Sequence, residues 1–209
     1  MIALNAVHPA TQFRFNESDP VLKSALDQRV SVSPLKDRIK IYQGDINEIV
    51  NQVCGEIQTL DKIRGSLNLA FLDPEGLELK WSTIKQLASI KRMDLIINFS
   101  TGGLVRAIGK GYIDVVDQFF GTDKWREVDI YPNNPPARRR ALIDFYRKNL
   151  EKFGYHIEID PNLGGDDIAF NNSKNAQVYS LIFASKHELG DKFWKQAAKN
   201  VKPPRLPGF

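Results

Sequence analysis

The stretch LNLAFLDPEGLELKW, residues 67–81, indicates both the fold class and the position of a candidate site. It begins with a continuous apolar run that has the length of a buried strand, and the run ends in Asp73, Pro74, Glu75 and Gly76. Open α/β sheets bind ligands at the carboxyl ends of their strands. The stretch therefore predicts a buried strand whose end places Asp73 at a ligand-binding edge.

Length and composition favour a single domain over residues 1–209. Of the 209 residues, 42% are hydrophobic and 26% are charged, which is enough to bury a substantial core. The formal charge of +4 is compatible with a nucleic-acid partner, but such an excess is also common in soluble proteins. No segment approaches the roughly 20 apolar residues of a membrane span, and the amino terminus lacks the pattern of a signal peptide. We expect no membrane association.

A single cysteine, Cys54, excludes an intramolecular disulfide, and no Cys/His set has the spacing of a zinc site. This usage predicts a cytoplasmic protein without a metal. Cys54 lies on the apolar stripe of a predicted helix, where we expect it to be a core residue. The three histidines, His8, His156 and His187, are far apart in sequence and are interpreted as structural or solvated.

Strand and helix candidates alternate along the chain, which predicts an α/β fold with a doubly wound, mostly parallel sheet and helices on both faces. The predicted strands are FRFN (13–16), RIKIYQGD (38–45), LNLAFLD (67–73), DLIINF (94–99), HIEID (156–160) and VYSLIFAS (178–185). A loop without a clear helix joins the last two. That connection predicts an antiparallel pairing, with an antiparallel strand at one edge of the sheet.

Several segments are open to a structural and a functional interpretation. TGGLVRAIGKG (101–111) could bring glycines close to a phosphate, but it lacks a nucleotide-binding spacing and favours a turn and a helix start. Residues 120–136 are interpreted as an irregular insertion and residues 202–209 as an extended tail. Phe119, Phe120 and Trp125 could offer a stacking surface, although core packing is the commoner role of such residues.

Acidic residues follow the first three predicted strands: Glu17, Asp45 and Asp73. In a parallel sheet, their carboxylates would lie along one rim. Such carboxylates can accept ribose hydroxyls or the exocyclic amine of adenine. Strand-end acids also cap the helices that follow them, and for Asp19 or Asp45 taken singly that interpretation is favoured. Three acidic residues at the ends of three successive strands suggest an adenosine-containing ligand.

The segments FRFNESD (13–19), IKIYQGD (39–45), AFLDPEG (70–76) and DLIINFSTGG (94–103) resemble, in order, the second to fifth motifs of Rossmann-like, S-adenosylmethionine-dependent methyltransferases. More closely, FLDPEG (71–76), VVDQFFGTDKW (115–125), FYRKNLEKFGY (145–155) and VYSLIFASKHELGDKFW (178–194) resemble the three-Cys-motif partner proteins, a methyltransferase-like bacterial family. The three cysteines of that name belong to a partner that resembles radical S-adenosylmethionine enzymes. The resemblance therefore implies such a partner.

The resemblance also implies site residues. Glu17 would hold ribose hydroxyls, Asp45 and Ile46 would lie at the adenine, and Asp73 with Pro74 would lie beside the methyl group. In amino methyltransferases this strand end continues with a second proline and an aromatic residue that stacks on the base. Here Glu75 and Gly76 stand in their places. Glu75 is open to two interpretations, a general base or a solvated turn acid.

Methyltransferase sheets have the strand order three, two, one, four, five, seven, six, and the six candidates here match the second to the seventh. The first central strand and its glycine-rich cofactor loop are therefore expected to be missing, in a chain truncated at its amino terminus relative to the family. Either Met1 is an internal methionine of a longer protein, or the second and fourth strands close on each other, or another chain supplies the strand. We expect these residues alone to bind S-adenosylmethionine weakly or not at all.

A cluster of basic residues, Arg138, Arg139 and Arg140, lies near a predicted helix start, where the helix dipole disfavours cations. It is interpreted as a solvated face or as a nucleic-acid contact. The sequence as a whole predicts methyl transfer from S-adenosylmethionine to an acceptor that it does not identify. The alternative is a degenerate, noncatalytic interaction module that binds a protein or nucleic acid.

Overall fold

The computed structural model describes residues 12–128, 133–157, 168–171 and 177–199. Strands and helices alternate within these ranges, which confirms the α/β class. The chain divides into two compact units, Met1–Val53 and Cys54–Phe209, here called unit 1 and unit 2. None of the described helices is both long and apolar enough to cross a membrane. The predicted tail at 202–209 lies outside the described residues.

The described part of unit 1 contains two strands and the helix that connects them, namely β1 (Phe13–Glu17), α1 (Pro20–Ser31) and β2 (Ile39–Gln43). The strands pair in parallel, with Glu17 opposite Gln43 at their carboxyl ends. The interpretation of Asp19 as a helix cap is confirmed, because its carboxylate accepts two backbone N–H groups of α1 at 2.7 and 3.0 Å and the helix begins at the next residue, Pro20.

The next helix, α2 (Ile46–Arg64), has 19 residues, and the boundary between the two units falls within it. Its predicted apolar stripe is confirmed, with Val50, Val53, Cys54 and Ile57 buried. Burial raises the pKa of the Cys54 thiol to about 11, so the reactive thiolate is disfavoured at neutral pH. The prediction that Cys54 is a core residue is therefore confirmed.

Among the described residues of unit 2, four strands form one sheet in the order β3–β4–β6–β5. β3 and β4 are parallel, and β6 is antiparallel to both of its neighbours. In chain order the elements are β3 (Asn68–Leu72), α3 (Trp81–Ala88), β4 (Met93–Phe99), α4 (Thr101–Gly109), α5 (Ile113–Phe120), α6 (Pro135–Glu151), β5 (Ile168–Asn171), β6 (Gln177–Ala184) and α7 (Glu188–Lys199).

Two predictions about this sheet are wrong, although the antiparallel pairing of the last two strands is confirmed. The strand that runs against the others is β6, which lies inside the sheet, while the edge strand β5 runs parallel to β4. β6 is apolar at successive positions, as suits an inner strand, whereas β5 has only four residues. The predicted strand at 156–160 is not β5: His156 makes one antiparallel bridge to Ser185, and residues 158–160 lie outside the described residues.

Helices cover both faces of the unit 2 sheet, as predicted. On one face, the ring of Phe99 packs against Phe119 of α5 and Tyr146 of α6, with ring centroids 5.3 and 5.2 Å apart. On the other face, Phe183 stacks on Trp194 of α7 at 5.1 Å. Phe119, Phe120 and Trp125 are buried, so their interpretation as core residues is correct. Burial also raises the pKa of the Tyr146 hydroxyl.

The segment after α5 contains one buried tryptophan, Trp125, that is hydrogen-bonded back to α5. It includes a short 3-10 helix, Lys124–Glu127, in a region predicted to be irregular, of which residues 129–132 lie outside the described residues. The Trp125 indole donates to Asp117 Oδ1 at 2.7 Å, and Arg126 donates to Asp117 Oδ2 at 2.9 Å. Burial opposes ionisation of Asp117, but these two hydrogen bonds outweigh it and hold the pKa of the carboxyl below its usual value.

The residues that follow β6 form hydrogen bonds with the segment that runs from the end of α3 to the start of β4. Lys186 Nζ donates to the backbone carbonyls of Ala88 and Ile90 at 2.5 and 3.0 Å, and lies 5.1 Å from the ring centre of Tyr155. Ser185 donates to Asp94 Oδ1 at 3.0 Å. These contacts give the block SKHELG (185–190) a structural role between the end of α3 and the start of β4.

Candidate functional site

The carboxyl end of β3 carries Asp73, as the sequence predicts, and the structure adds a partner for it. Leu72 of β3 is opposite Ile97 of β4, so the next residues along the two strands, Asp73 and Asn98, are neighbours. Asn98 Nδ2 donates to Asp73 Oδ1 at 2.6 Å. Asp73 is exposed and Asn98 is half-buried, so the pair lies where a ligand could reach it.

The loop after Asp73 is held at its far end. Leu77 and Leu79 are buried, and the Gly76 amide donates to the Glu78 carboxylate at 2.7 Å. Between these anchors and β3, Pro74 is half-buried and Glu75 is exposed. Glu75 makes no hydrogen bond within the described part of the chain, so both of its interpretations, general base and solvated turn acid, stay open.

The first turn of α4 lies against this loop. Ser100 caps α4 by accepting the Gly103 amide at 3.3 Å, which confirms that TGGLVRAIGKG begins with a turn and a helix start. A Cβ atom at Gly103 would lie 2.6 Å from Ser100 Oγ and 3.7 Å from the Gly76 backbone. Glycine at 103 therefore permits both the cap and the close approach of the loop.

The candidate cofactor residues of unit 1 lie at the carboxyl ends of its parallel strands. Glu17 is the last residue of β1, and Asp45 follows β2 immediately before Ile46, the first residue of α2. Glu17 Oε1 accepts the Asp19 amide at 3.0 Å. Asp45 Oδ1 accepts both the backbone and the side-chain amide of Asn47 at 2.8 Å. The bonds of Asp45 match the helix-capping interpretation, whereas Glu17 accepts the amide of Asp19, the residue that caps α1. Each carboxylate keeps its second oxygen for other partners.

Glu17 and Asp45 therefore lie at one edge of one sheet, while Asp73 belongs to the separate sheet of unit 2. The prediction that the three carboxylates share a single rim stays a prediction. Within the described residues, no group of three His, Cys, Asp or Glu side chains is arranged to hold a metal ion.

The three arginines lie in the first turns of α6. Asn134 caps this helix by accepting the Ala137 amide at 3.2 Å, and Pro135 takes the first position. Arg138 and Arg139 are half-buried and Arg140 is exposed. The arrangement is compatible with a solvated face and with a phosphate contact.

Sequence reasoning overlooked Asn98. The signal for it is the alternation along β4, in which Met93, Leu95, Ile97 and Phe99 are buried and the residues between them are half-buried. Asn98 is thus a polar residue near the carboxyl end of a strand, on the side of the sheet that β4 does not use for its core.

The described histidines have local structural contacts. The backbone of His156 forms a bridge to Ser185, and the ring of His187 accepts the Leu189 amide. His8 lies outside the described residues.

No protein-family model, curated protein or solved structure matches this chain.

Proposed function

We propose that the chain is a methyltransferase-like protein of the three-Cys-motif partner family, and that its reaction is methyl transfer from S-adenosylmethionine to an acceptor. The observation that carries the proposal is the strand order. β1 and β2 form a parallel pair, and the second sheet has the order β3–β4–β6–β5 with only β6 reversed. These are the orders of strands two and three, and of strands four, five, seven and six, in a Rossmann-like methyltransferase.

The first strand of such a sheet would pair with both the second and the fourth. Within the described residues β1 pairs only with β2, and β3 pairs only with β4, so each has one open edge. We therefore propose that a further strand, beyond the six described, completes the sheet. The glycine-rich turn that brings backbone N–H groups close to the cofactor would follow that strand.

The residues of the chain fit the adenosine half of the cofactor. Glu17 would accept ribose hydroxyls through its free oxygen, Asp45 would accept the adenine amine, and Ile46 would lie against the ring. When bound, S-adenosylmethionine supplies the methyl group. Asp73 and the Pro74 carbonyl would hold the acceptor in line with it, and Glu75 could remove a proton where the acceptor carries one.

The test is a titration of the chain with S-adenosylhomocysteine, in which ligand-observed NMR and calorimetry measure the affinity. We expect binding weaker than micromolar, because the sequence that precedes β1 contains no glycine-rich loop, and we expect this binding to be lost in Asp45→Asn. Asp37→Asn is the matched control, since Asp37 is an exposed carboxylate of unit 1. Undetectable binding at millimolar ligand would refute the cofactor assignment. Micromolar binding would contradict the expectation that these 209 residues lack the glycine-rich cofactor loop.

A second candidate function is a noncatalytic interaction module, and the open edge of β3 favours it. Leu69 and Phe71 are 61% and 60% exposed, and the strand carries no lysine, proline or bulge of the kind that guards edges. The candidate partners are a three-Cys-motif protein and nucleic acid. Binding of a purified three-Cys-motif protein that is lost in Phe71→Lys, but kept in Asp73→Ala, would support this function.

We also propose a cytoplasmic location. The support for it is the lone, buried Cys54, which suits a reducing compartment. Fractionation of the cells that produce the protein is the test.

A further inference from the structure

Two tyrosines of unit 2, Tyr146 and Tyr155, have buried hydroxyl groups. Their side chains are only 0% and 3% exposed, and neither hydroxyl forms a hydrogen bond with any residue that the structure describes. A buried hydroxyl without a partner is unfavourable, and in native proteins such groups are usually satisfied by other residues or by ordered water. What each hydroxyl can bind therefore depends on the groups around it.

The surroundings of Tyr146 are aromatic. The ring centroids of Trp81, Phe99 and Phe119 lie 5.0, 5.2 and 5.2 Å from the centroid of Tyr146. A buried water needs two to four polar partners, and apolar surroundings stay dry. We therefore expect no ligand at the hydroxyl of Tyr146.

The surroundings of Tyr155 are polar instead. Lys186 Nζ lies over the ring of Tyr155, 5.1 Å from its centre, which is about the distance that one water spans between two polar atoms. The ammonium group has three hydrogens. It donates two of them to the backbone carbonyls of Ala88 and Ile90, so one hydrogen is left for a further acceptor.

Asp94 adds an acceptor next to the same tyrosine. Its Oδ1 accepts the Ser185 hydroxyl at 3.0 Å and the Lys186 amide at 3.3 Å, whereas its Oδ2 accepts no hydrogen bond from the described residues. Burial and, to a smaller extent, the charge of Asp94 raise the pKa of the Tyr155 hydroxyl, so the carboxylate lies near this hydroxyl. An acceptor, a hydroxyl and an ammonium hydrogen thus surround one position.

We propose that one ordered water molecule binds at this position, accepts hydrogen bonds from the Tyr155 hydroxyl and from Lys186 Nζ, and donates one to Asp94 Oδ2. Three hydrogen bonds are typical of a buried water. Water suits the site because it both donates and accepts, whereas Asp94 repels an anion and Lys186 repels a cation. The water joins the residues that follow α6 and β6 to the start of β4.

A matched pair of substitutions tests the site, because each removes one buried hydroxyl and keeps the ring. Urea denaturation measures the equilibrium constant of unfolding. We expect Tyr155→Phe to raise it about threefold to tenfold, the loss of one net hydrogen bond. Tyr146→Phe should leave it unchanged or lower it, because that hydroxyl has no bond to lose. Equal effects of the two substitutions would overturn the proposal.

Lys186→Met provides a second comparison. This change removes one of the three partners of the water and keeps the length of the side chain. The effect of Tyr155→Phe on the unfolding constant should therefore be smaller in the Lys186→Met background than in the wild-type chain. An effect of the same size in both backgrounds would show that Lys186 has no part in the site.

A high-resolution crystal structure of the wild-type chain tests the ligand directly. We expect a water oxygen within about 3.2 Å of the Tyr155 hydroxyl, and none at the hydroxyl of Tyr146. A direct hydrogen bond from Tyr155 to Asp94, or a Tyr155 hydroxyl without any neighbouring water, would overturn the proposal.

Discussion

Gly121, which ends α5, lies directly against the indole ring of Trp81, the first residue of α3. Its φ is +69°, a conformation that residues with a Cβ adopt at a cost of about 1–2 kcal/mol, and a Cβ at this position would overlap the indole. Trp81 is buried and packs edge-to-face on Tyr146, with ring centroids 5.0 Å apart, so it has little room to move. The glycine therefore sets how closely α5 approaches the aromatic core.

We expect Gly121→Ala to lower the free energy of unfolding by about 2–4 kcal/mol, as the sum of backbone strain and overpacking. Urea denaturation followed by tryptophan fluorescence measures the change. Gly55→Ala is the matched control, because nothing lies within 4 Å of a Cβ there and the residue is inside α2. That substitution should stabilise the chain by about 0.5–1 kcal/mol. A loss smaller than 1 kcal/mol for Gly121→Ala would contradict the packing described.

Stability should depend on pH through Asp61. The Ser66 backbone amide, the Ser66 hydroxyl and the Arg92 guanidinium donate to Asp61 Oδ1 at 2.7, 3.0 and 3.0 Å. These bonds hold the pKa of the Asp61 carboxyl below its usual value in the folded chain. A lowered folded-state pKa gives stability that is present above the unfolded-state pKa and is lost as the pH falls through the folded-state pKa.

We therefore expect the unfolding midpoint to fall on acidification below pH 4, and the fall to be smaller in Asp61→Asn. Denaturation curves at a series of pH values measure it. Glu127→Gln serves as control, because Glu127 is exposed and makes no hydrogen bond within the described residues. Identical acid profiles for Asp61→Asn and the wild type would exclude this role.

Lys186 should contribute to stability through its hydrogen bonds rather than through its charge. Lys186→Met keeps the length of the side chain but leaves the carbonyls of Ala88 and Ile90 without this donor. We expect a loss of about 1–3 kcal/mol in the free energy of unfolding. Lys192→Met, an exposed position on α7, should change it by less than about 0.5 kcal/mol. Equal effects of the two substitutions would rule out a stabilising role for the hydrogen bonds of Lys186.

Asp73 should matter for activity and not for folding. Asp73 is exposed and its hydrogen-bond partner Asn98 is only half-buried, so Asp73→Ala should shift the unfolding free energy by less than about 1 kcal/mol. Methyl transfer, where an acceptor is identified, should be abolished. Parallel losses of thermal stability and transfer activity would instead indicate a structural residue.

The cluster Arg138 to Arg140 gives a salt-dependence prediction. If these arginines contact phosphates, replacing all three by alanine should weaken nucleic-acid binding and reduce the slope of log affinity against log salt by about one unit per lost contact. Replacing Lys36, Lys62 and Lys110, which are exposed and spread over the chain, changes the net charge equally and is the control. An unchanged slope in the arginine variant would assign the cluster to a solvated face.

The sequence predicts features that depend on local chemistry. The Asp19 cap, the stripe of α2 and the position of Asp73 after β3 follow from residues close to each other in the chain, and all three are confirmed. The sequence does not reveal β5, because a strand of four residues is too short to show an alternation of apolar and polar side chains. It also follows a stretch rich in glycine and aspartate.

The other features that the sequence does not reveal depend on contacts between distant parts of the chain. Asn98 became a candidate only once the register of β3 against β4 placed it beside Asp73. The need for glycine at position 121 likewise depends on contact with Trp81, which lies forty residues earlier in the chain. No pattern in the sequence around Gly121 predicts this contact. Sequence periodicity identifies which face of an element is buried, but not which residue of another element meets it.

The position of β6 has a consequence for biosynthesis. β6 is the last of the described strands along the chain, yet in the finished sheet it lies between β4 and β5. While the ribosome is still adding residues 177–184, the polar backbone groups along one side of β4 have no strand to bind. The nascent chain is thus exposed to wrong pairing and to chaperone capture until β6 leaves the exit tunnel.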